Sequence, residues 1–403
     1  MPLLRNWRKK RVTKSNDKKV PALRFKGFTD DWEQRKFNKI ANKIGATSSA
    51  KIPNVSYDDI LSKRGVLNKK ISKLSTGKKG IKFKENDILF GKLRPYLKNY
   101  LLADFSGIAI GDFWVLRPLE SPDFLFYLIQ SQKFTYISNI SSGSKMPRSD
   151  WKLVSSFHFD IPKINEQIGI GKVLKLLDKL ISLQQRKLEQ LKLLKRMISL
   201  SIYPNFNDRI PIKFNLNSTW NKKKLKNITN YKNGTTHEQH QLLKGKFELI
   251  NLNSISKEGR LKSSGKYINQ QFPTLRKNDI VMILSDIAHG QLIGTSAVIP
   301  TNNKYILNQR VASLSPNENL NAVFISKYIN LKQRYFKKMA AGMSQINLSK
   351  KDVEDFKLWV PNFKEQTKIA NLLINFDLIE KNKNKKISYL LNLKKFLLQS
   401  LFL

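Results

Sequence analysis

The stretch PKINEQIGIGKVLKLLDKLI, Pro162 to Ile181, returns 199 positions later as PNFKEQTKIANLLINFDLIE, Pro361 to Glu380. Pro162/Pro361, Glu166/Glu365, Gln167/Gln366, Ile170/Ile369, Leu174/Leu373 and Asp178/Asp377 keep that one separation, as do Lys187/Lys386, Leu191/Leu390 and Lys195/Lys394. So long a period excludes a small solenoid unit, and the chain reads as two copies of one module joined head to tail. Taken every third or fourth residue, Ile170, Leu174, Leu177, Ile181, Gln184, Leu188, Leu191, Lys195, Ile198 and Ile202 fall on one helical face, apolar except at Gln184 and Lys195. The second copy gives Ile369, Leu373, Phe376, Glu380, Lys383, Ile387, Leu390, Lys394, Leu397 and Leu401. Each pattern predicts a helix of about 36 residues, roughly 54 Å at ~1.5 Å per residue. Two such stripes are expected to cover each other as an antiparallel coiled coil about a pseudo-two-fold axis, with the polar stripe positions setting register or reaching solvent.

Composition narrows the function. The chain has 403 residues, 40% of them hydrophobic, enough for two or three domains with their own cores. Lys and Arg number 74 against 30 Asp and Glu, a formal charge of +44. That many like charges repel one another unless a polyanion neutralises them, which points to nucleic acid. Cys is absent, which excludes disulfides, thiolate chemistry and Cys-based zinc sites. No apolar run reaches the roughly 20 residues of a membrane helix, and the basic opening lacks the apolar core of a signal peptide, so a soluble, cytoplasmic protein is expected.

The helices divide the chain into a basic tail at 1–20, a globular segment at 21–160, a helix at 161–203, a second globular segment at 204–360 and a second helix at 361–403. Both globular segments alternate short apolar runs with Gly, Asn, Asp and Pro, as in Ala109–Leu116 and Asp279–Leu284, and predict strands joined by turns. Helices are expected near Asp123–Ile137 and Ala322–Lys338. The duplication persists weakly here: Arg24-Phe25 and Trp32 match Lys213-Phe214 and Trp220, and Asn86-Asp87-Ile88 matches Asn278-Asp279-Ile280. A shared frame with diverged remainder suggests two different reading surfaces and an asymmetric ligand.

Catalytic signatures are missing. There is no Walker loop, no GxGxxG, no recognisable nucleophile–base spacing and no pair of adjacent prolines of the kind found in amino-methyltransferases. His237 and His240 form HEQH, not HExxH, and are expected on a solvated or DNA-facing loop; His158, between two phenylalanines, is expected to be buried. No catalysis by this chain is expected, and no metal.

The polar clusters suit nucleic acid. Lys69, Lys70, Lys78 and Lys79 crowd a stretch with Gly77 and Gly80 that reads as a phosphate-gripping loop or a solvated hairpin. Lys92, Arg94 and Tyr96 follow a predicted strand, and Lys145 and Arg148 occupy a Gly/Pro-shaped loop; Arg and Lys match the guanine edge in the major groove. The equivalent second loop offers Ser344, Gln345 and Asn347, and Gln and Asn match adenine instead. Arg276, His289, Gln291, Gln309 and Arg310 complete the candidate DNA contacts.

These residues carry a likeness. The opening P-x-L-R-F-x-G-F…W at Pro21–Trp32, the paired I/V-P-x-x-x-E-Q helices beginning at Ile161 and Val360, and the loops 91–96, 143–148, 285–291 and 342–348 resemble the specificity subunit of type I restriction-modification systems over nearly the whole chain. The second copy departs mildly, with Val360 and Glu380 where the first has Ile161 and Ile181. The resemblance implies an α+β architecture of two α/β target-recognition domains, each followed by a long helix, every domain reading one half of a bipartite site in double-stranded DNA. It implies two methyltransferase subunits docked on the helices, with Glu166, Gln167, Leu174, Asp178, Glu365, Gln366, Leu373 and Asp377 expected to face them, and restriction–translocase subunits beyond. S-adenosylmethionine, ATP and Mg²⁺ then belong to the partners. The competing reading is a basic coiled-coil adaptor that binds RNA or ribosomes.

Overall fold

A computed structural model describes residues 7–9, 20–140, 146–203, 219–286, 290–342 and 346–402. It divides into two units, one made of 1–186 with 384–403 and the other of 187–383.

In the first unit the run Phe113–Pro118 is the inner strand of an antiparallel sheet ordered Tyr100–Leu102, Ile88–Gly91, Phe113–Pro118, Ala41–Ile44. Its first four residues, Phe113 to Leu116, are apolar without alternation because both faces are covered there. Ile88, Phe90, Trp114 and Leu116 point into one core, while Leu89, Phe113 and Val115 point into another shared with Val55, Phe83 and Ala109. Those last residues belong to a second sheet ordered Thr47–Ser48, Gly80–Phe83, Gly107–Ala109, Asn54–Val55, whose final pair is parallel. Covering the first core are α1 (Pro122–Leu128), capped by the Ser121 hydroxyl, and α2 (Gln132–Asn139), capped by Ser131. Capping by Ser131 splits the single helix expected near Asp123–Ile137. A short α3 (Trp151–Ser156) leads to His158–Ile161, paired with Glu33–Lys36. His158 is exposed, not buried, because alternation along this strand turns Phe159 inward instead. Within the expected tail, Trp7–Lys9 pairs antiparallel with Leu23–Phe25.

Two long helices follow the globular parts, α4 (Ile164–Ile202, 39 residues) and, at the end of the chain, the partner helix Phe363–Ser400 with 38. In the first unit the opening half of α4 and the closing half of the partner helix share one core through Leu174, Leu177, Ile181, Leu390, Leu397 and Leu401. They run in opposite directions. Lys394 bonds Asp178, whereas Phe402, further along, reaches Phe124 at 5.4 Å between ring centroids, and Phe124 adjoins Gly171, earlier in α4. Gly171 is needed there, since a Cβ would lie 2.8 Å from Asp123 Cβ and 3.0 Å from Phe124 N.

The second unit repeats this plan. Its main sheet is ordered Thr229–Asn233, Val311–Pro316, Ile280–Ile283, Ser296–Val298, and a second sheet is ordered Tyr267–Ile268, Phe247–Ile250, Tyr305–Leu307. Ile280, Met282 and Leu314 face one core, and Val281, Ile283 and Val311 the other. The helices are α5 (Ala322–Leu331), capped by Asn321, α6 (Gln333–Met339) and α7 (Lys350–Glu354), after which Phe363–Ser400 is α8. Tyr203 packs on Phe324 as Phe402 packs on Phe124.

The eight helix residues expected to face partners are corrected by this packing. Glu166, Gln167, Leu174, Glu365, Gln366 and Leu373 are each at most 2% exposed. Glu166 accepts a two-pronged bond from Arg24 at 2.7 and 2.8 Å, and Gln167 and Gln366 each donate to the carbonyl of the proline five residues earlier at 2.9 Å. Asp178 and Asp377 are committed to ion pairs inside their own units. The E-Q motif fastens each helix to its own module.

Candidate nucleic-acid interface

One end of the first unit collects most of the sequence-derived contacts. The strand Ile88–Gly91 runs out into Lys92, the strand Gly107–Ala109 into Asp112, and the strand Gly80–Phe83 begins beside Ala109, which brings the exposed Lys78 and Lys79 to the same end. The Asp112 carbonyl accepts from the Lys92 N–H at 2.9 Å and from the Tyr57 hydroxyl at 2.7 Å; the Tyr57 oxygen in turn accepts the Leu93 N–H at 3.1 Å. Ser149 N–H donates to the Lys92 carbonyl at 2.9 Å and Arg94 N–H to the Pro147 carbonyl at 2.7 Å, which pins the Arg148 segment beside Lys92. Arg148 Nη2 lies 3.1 Å and Lys92 Nζ 3.5 Å from the Asp112 carboxylate. Burial pushes the Asp112 carboxyl up, but Arg148 and Lys92 outweigh it and hold the group below its usual value. Burial pushes the Tyr57 hydroxyl up to about 12, so it remains protonated and able to donate. Lys69 joins this end through its 2.6 Å ion pair with Asp59, two residues from Tyr57; Lys70 is exposed beside it. Arg94 and Tyr96 are exposed, and Arg94 adopts a left-handed φ of 50° in a turn that lifts it from the sheet.

The second unit builds the same frame from other residues. Leu284 N–H donates to the Arg310 carbonyl at 2.9 Å and Leu348 N–H to the Leu284 carbonyl at 2.8 Å, reproducing the Lys92–Asp112 and Ser149–Lys92 bonds. Ser285 pairs with Asn347 where Leu93 bridges Arg148. Thus Leu284, Arg310 and Asn347 stand where the first unit has Lys92, Asp112 and Arg148. Gln309 donates to Glu238, and both line an open cleft of about 220 Å³ with Asn251, Lys266, Asn308 and Arg310. Gly234 passes so close to the Asn308 carbonyl that a Cβ would sit 1.9 Å from it, so only glycine lets this loop close over the strand end. Gln291 adjoins the cluster, since Gly290 lies against Ile346.

Two expectations differ from this arrangement. Arg276 is exposed but precedes the strand Ile280–Ile283, at the opposite end from Leu284, so it stands apart from Arg310 and Asn347. His237 is 6% exposed and packs on Phe272, because Asn308 accepts its N–H at 3.0 Å; burial lowers its basicity, with His240 adding to the effect. Lys145, His289, Ser344 and Gln345 lie outside the described residues. Asp112, Tyr57 and Glu238 are functional-site residues that cations and amides alone do not flag; the sequence signal for Asp112 is the Gly111 turn between two buried strands.

The long helices present a second surface. Ile164, Ile168, Leu176, Leu180 and Leu183 of α4 are 37–51% exposed, on a face other than the buried stripe. Among the described residues no group of three or more His, Asp or Glu side chains could hold a metal ion, and no helix is long and apolar enough to cross a membrane.

Duplicated sheet ends, dressed differently with cations, amides and carboxylates, define a protein of two modules that share one frame. A family model described as "Type I restriction modification DNA specificity domain" matches residues 29–193 and again 217–389, and the chain belongs to that family. It is 22% identical over 281 residues to the type I restriction enzyme MjaVIII specificity subunit of Methanocaldococcus jannaschii, a match spanning 65% of this chain and 65% of that protein. Among solved structures it resembles the type I restriction-modification S subunit from M. genitalium, with TM-score 0.62 and 18% identity over 95% of this chain and 99% of that one. A chain from a study of complex assembly and conformational transition in the type I R-M system matches with TM-score 0.58 and 15% identity, covering 91% and 96%. At these identities the structural likeness concerns the fold.

Proposed function

We propose that this chain is the non-catalytic specificity subunit of a type I restriction-modification assembly, working in the cytoplasm. Each unit reads one half of an asymmetric bipartite site in double-stranded DNA, and α4 and α8 dock two methyltransferase subunits, to which restriction–translocase subunits add. The observation that carries the reading is the shared frame with exchanged side chains: Lys92, Asp112 and Arg148 in one unit, Leu284, Arg310 and Asn347 in the other. One backbone presents two chemistries, as a site with unlike halves requires. The exposed leucines and isoleucines of α4 support docking there, in place of the buried E-Q residues. S-adenosylmethionine, ATP and Mg²⁺ are assigned to the partners. Family membership favours DNA over RNA or ribosomes.

Long-read methylation mapping of the host with and without this gene tests the reading. Loss of one bipartite methylated motif on deletion is expected; an unchanged methylome would overturn it.

A further inference from the structure

We propose that Asp112 is a positioning residue for base discrimination: its carboxylate holds Arg148, with Lys92, aimed at one half of a duplex DNA site before binding. The proposal rests on the reading above and assigns a role within the same interface. Asp112 leaves a partly exposed carboxylate at an end where Lys78, Lys79 and Arg94 are exposed cations, and it repels the phosphates that they attract; Asp59, the carboxylate beneath Lys69, is by contrast buried. The backbone frame does not require it. Lys92 N–H bonds the Asp112 carbonyl, and the second unit keeps the equivalent bond with an arginine, Arg310, in the same place. What the side chain itself does is bond Arg148 Nη2 at 3.1 Å and reach Lys92 Nζ at 3.5 Å.

Arg148 needs such a partner. Its side chain is 51% exposed, so without the ion pair it would lose many rotamers on meeting a base. Asp112 is itself immobilised, since its carbonyl is held by Tyr57 and Lys92. Anchoring one end of the guanidinium leaves its other N–H groups to form a fork toward the guanine edge. In the second unit the arginine has moved to the Asp112 position and an asparagine to the Arg148 position, so this unit places its cation on the other side of the same turn.

The test selects bound duplexes from a randomised library with the full-length chain and its Asp112→Asn, Arg148→Ala, Arg148→Lys and Asp112→Asn/Arg148→Ala variants. Asp112→Asn is nearly isosteric and leaves the carbonyl contacts in place. It should weaken discrimination about tenfold at one base pair of one half-site, while affinity for random duplex stays equal or rises, because a negative charge has gone. Arg148→Lys keeps the ion pair but loses the fork and should relax the same base pair. The double variant should be no worse than Arg148→Ala, since residues acting through one contact are not additive. Full discrimination by Asp112→Asn, or equal weakening of both half-sites with reduced affinity for random DNA, overturns the proposal. A wild-type chain that selects no motif at all overturns instead the function on which it rests.

Discussion

Lys394 lies 2.8 Å from the carboxylate of Asp178, 216 residues away in sequence, and the same bond recurs between Lys195 and Asp377, where each residue is the repeat counterpart of one in the first pair. Each helix gives its aspartate to one unit and its lysine to the other, the reciprocity of a symmetric dimer written into one chain. The second partner differs: Tyr127 donates to Asp178 at 2.9 Å, whereas Lys327 bonds Asp377 at 2.6 Å, with Arg260 also 3.5 Å away. Of the polar stripe positions, Lys195 and Lys394 therefore reach the facing helix within their unit and not solvent alone.

Among the described residues, Lys394→Ala leaves Asp178 the Tyr127 hydroxyl as its side-chain partner. For a largely but not wholly buried pair we expect a loss of about 1–2 kcal/mol, measured as faster amide exchange in α1 and the adjoining part of α4. No change in exchange there would show that the pair contributes nothing.

Asp377 is expected to contribute to the acid sensitivity of the second unit. Burial pushes its carboxyl up, but Lys327 and Lys195 outweigh burial and hold it below the usual range. A carboxyl depressed in the folded state stabilises above its unfolded value, near 4, and loses that contribution as pH falls through the folded value. Asp377→Asn should lower stability at neutral pH and flatten its decline below about pH 4, followed by exchange protection in α5.

Gly171→Val should destabilise the first unit by about 1–3 kcal/mol, since the Cβ would overlap Asp123 and Phe124. The same change at the counterpart Ala370, already a Cβ-bearing position, should cost less; thermal unfolding of both variants provides the comparison.

Matched one-turn insertions after Arg186 and after Lys383, where the units divide, leave both aspartate–lysine pairs intact. We expect a longer gap between half-sites in a methylation map, with both half-site sequences unchanged. An unaltered gap would show that the helices do not set the spacing.

Affinity should fall steeply with salt. Neutralising about eight phosphates gives a slope near −7 in log K against log salt. Lys79→Ala should weaken binding to all sequences alike, in contrast to Arg148→Ala, which should relax one half-site.

Periodicity made the duplication, the two long helices and their inward stripes legible, because helical repeat and module repeat are local properties of a chain. Basic charge and the absence of catalytic motifs pointed to nucleic acid for the same reason: they are sums over residues, indifferent to where each one lies. The sequence could not reveal that Glu166 is spent on Arg24, that His237 turns into a pocket against Phe272, or that Arg276 stands at the wrong end of its strand. Nor could it show that Asp112 grips Arg148, or that the outward apolar face of α4 differs from the stripe that packs inward. These are contacts between residues distant in sequence, fixed only when the sheets close and decide which side of each strand and helix meets the core.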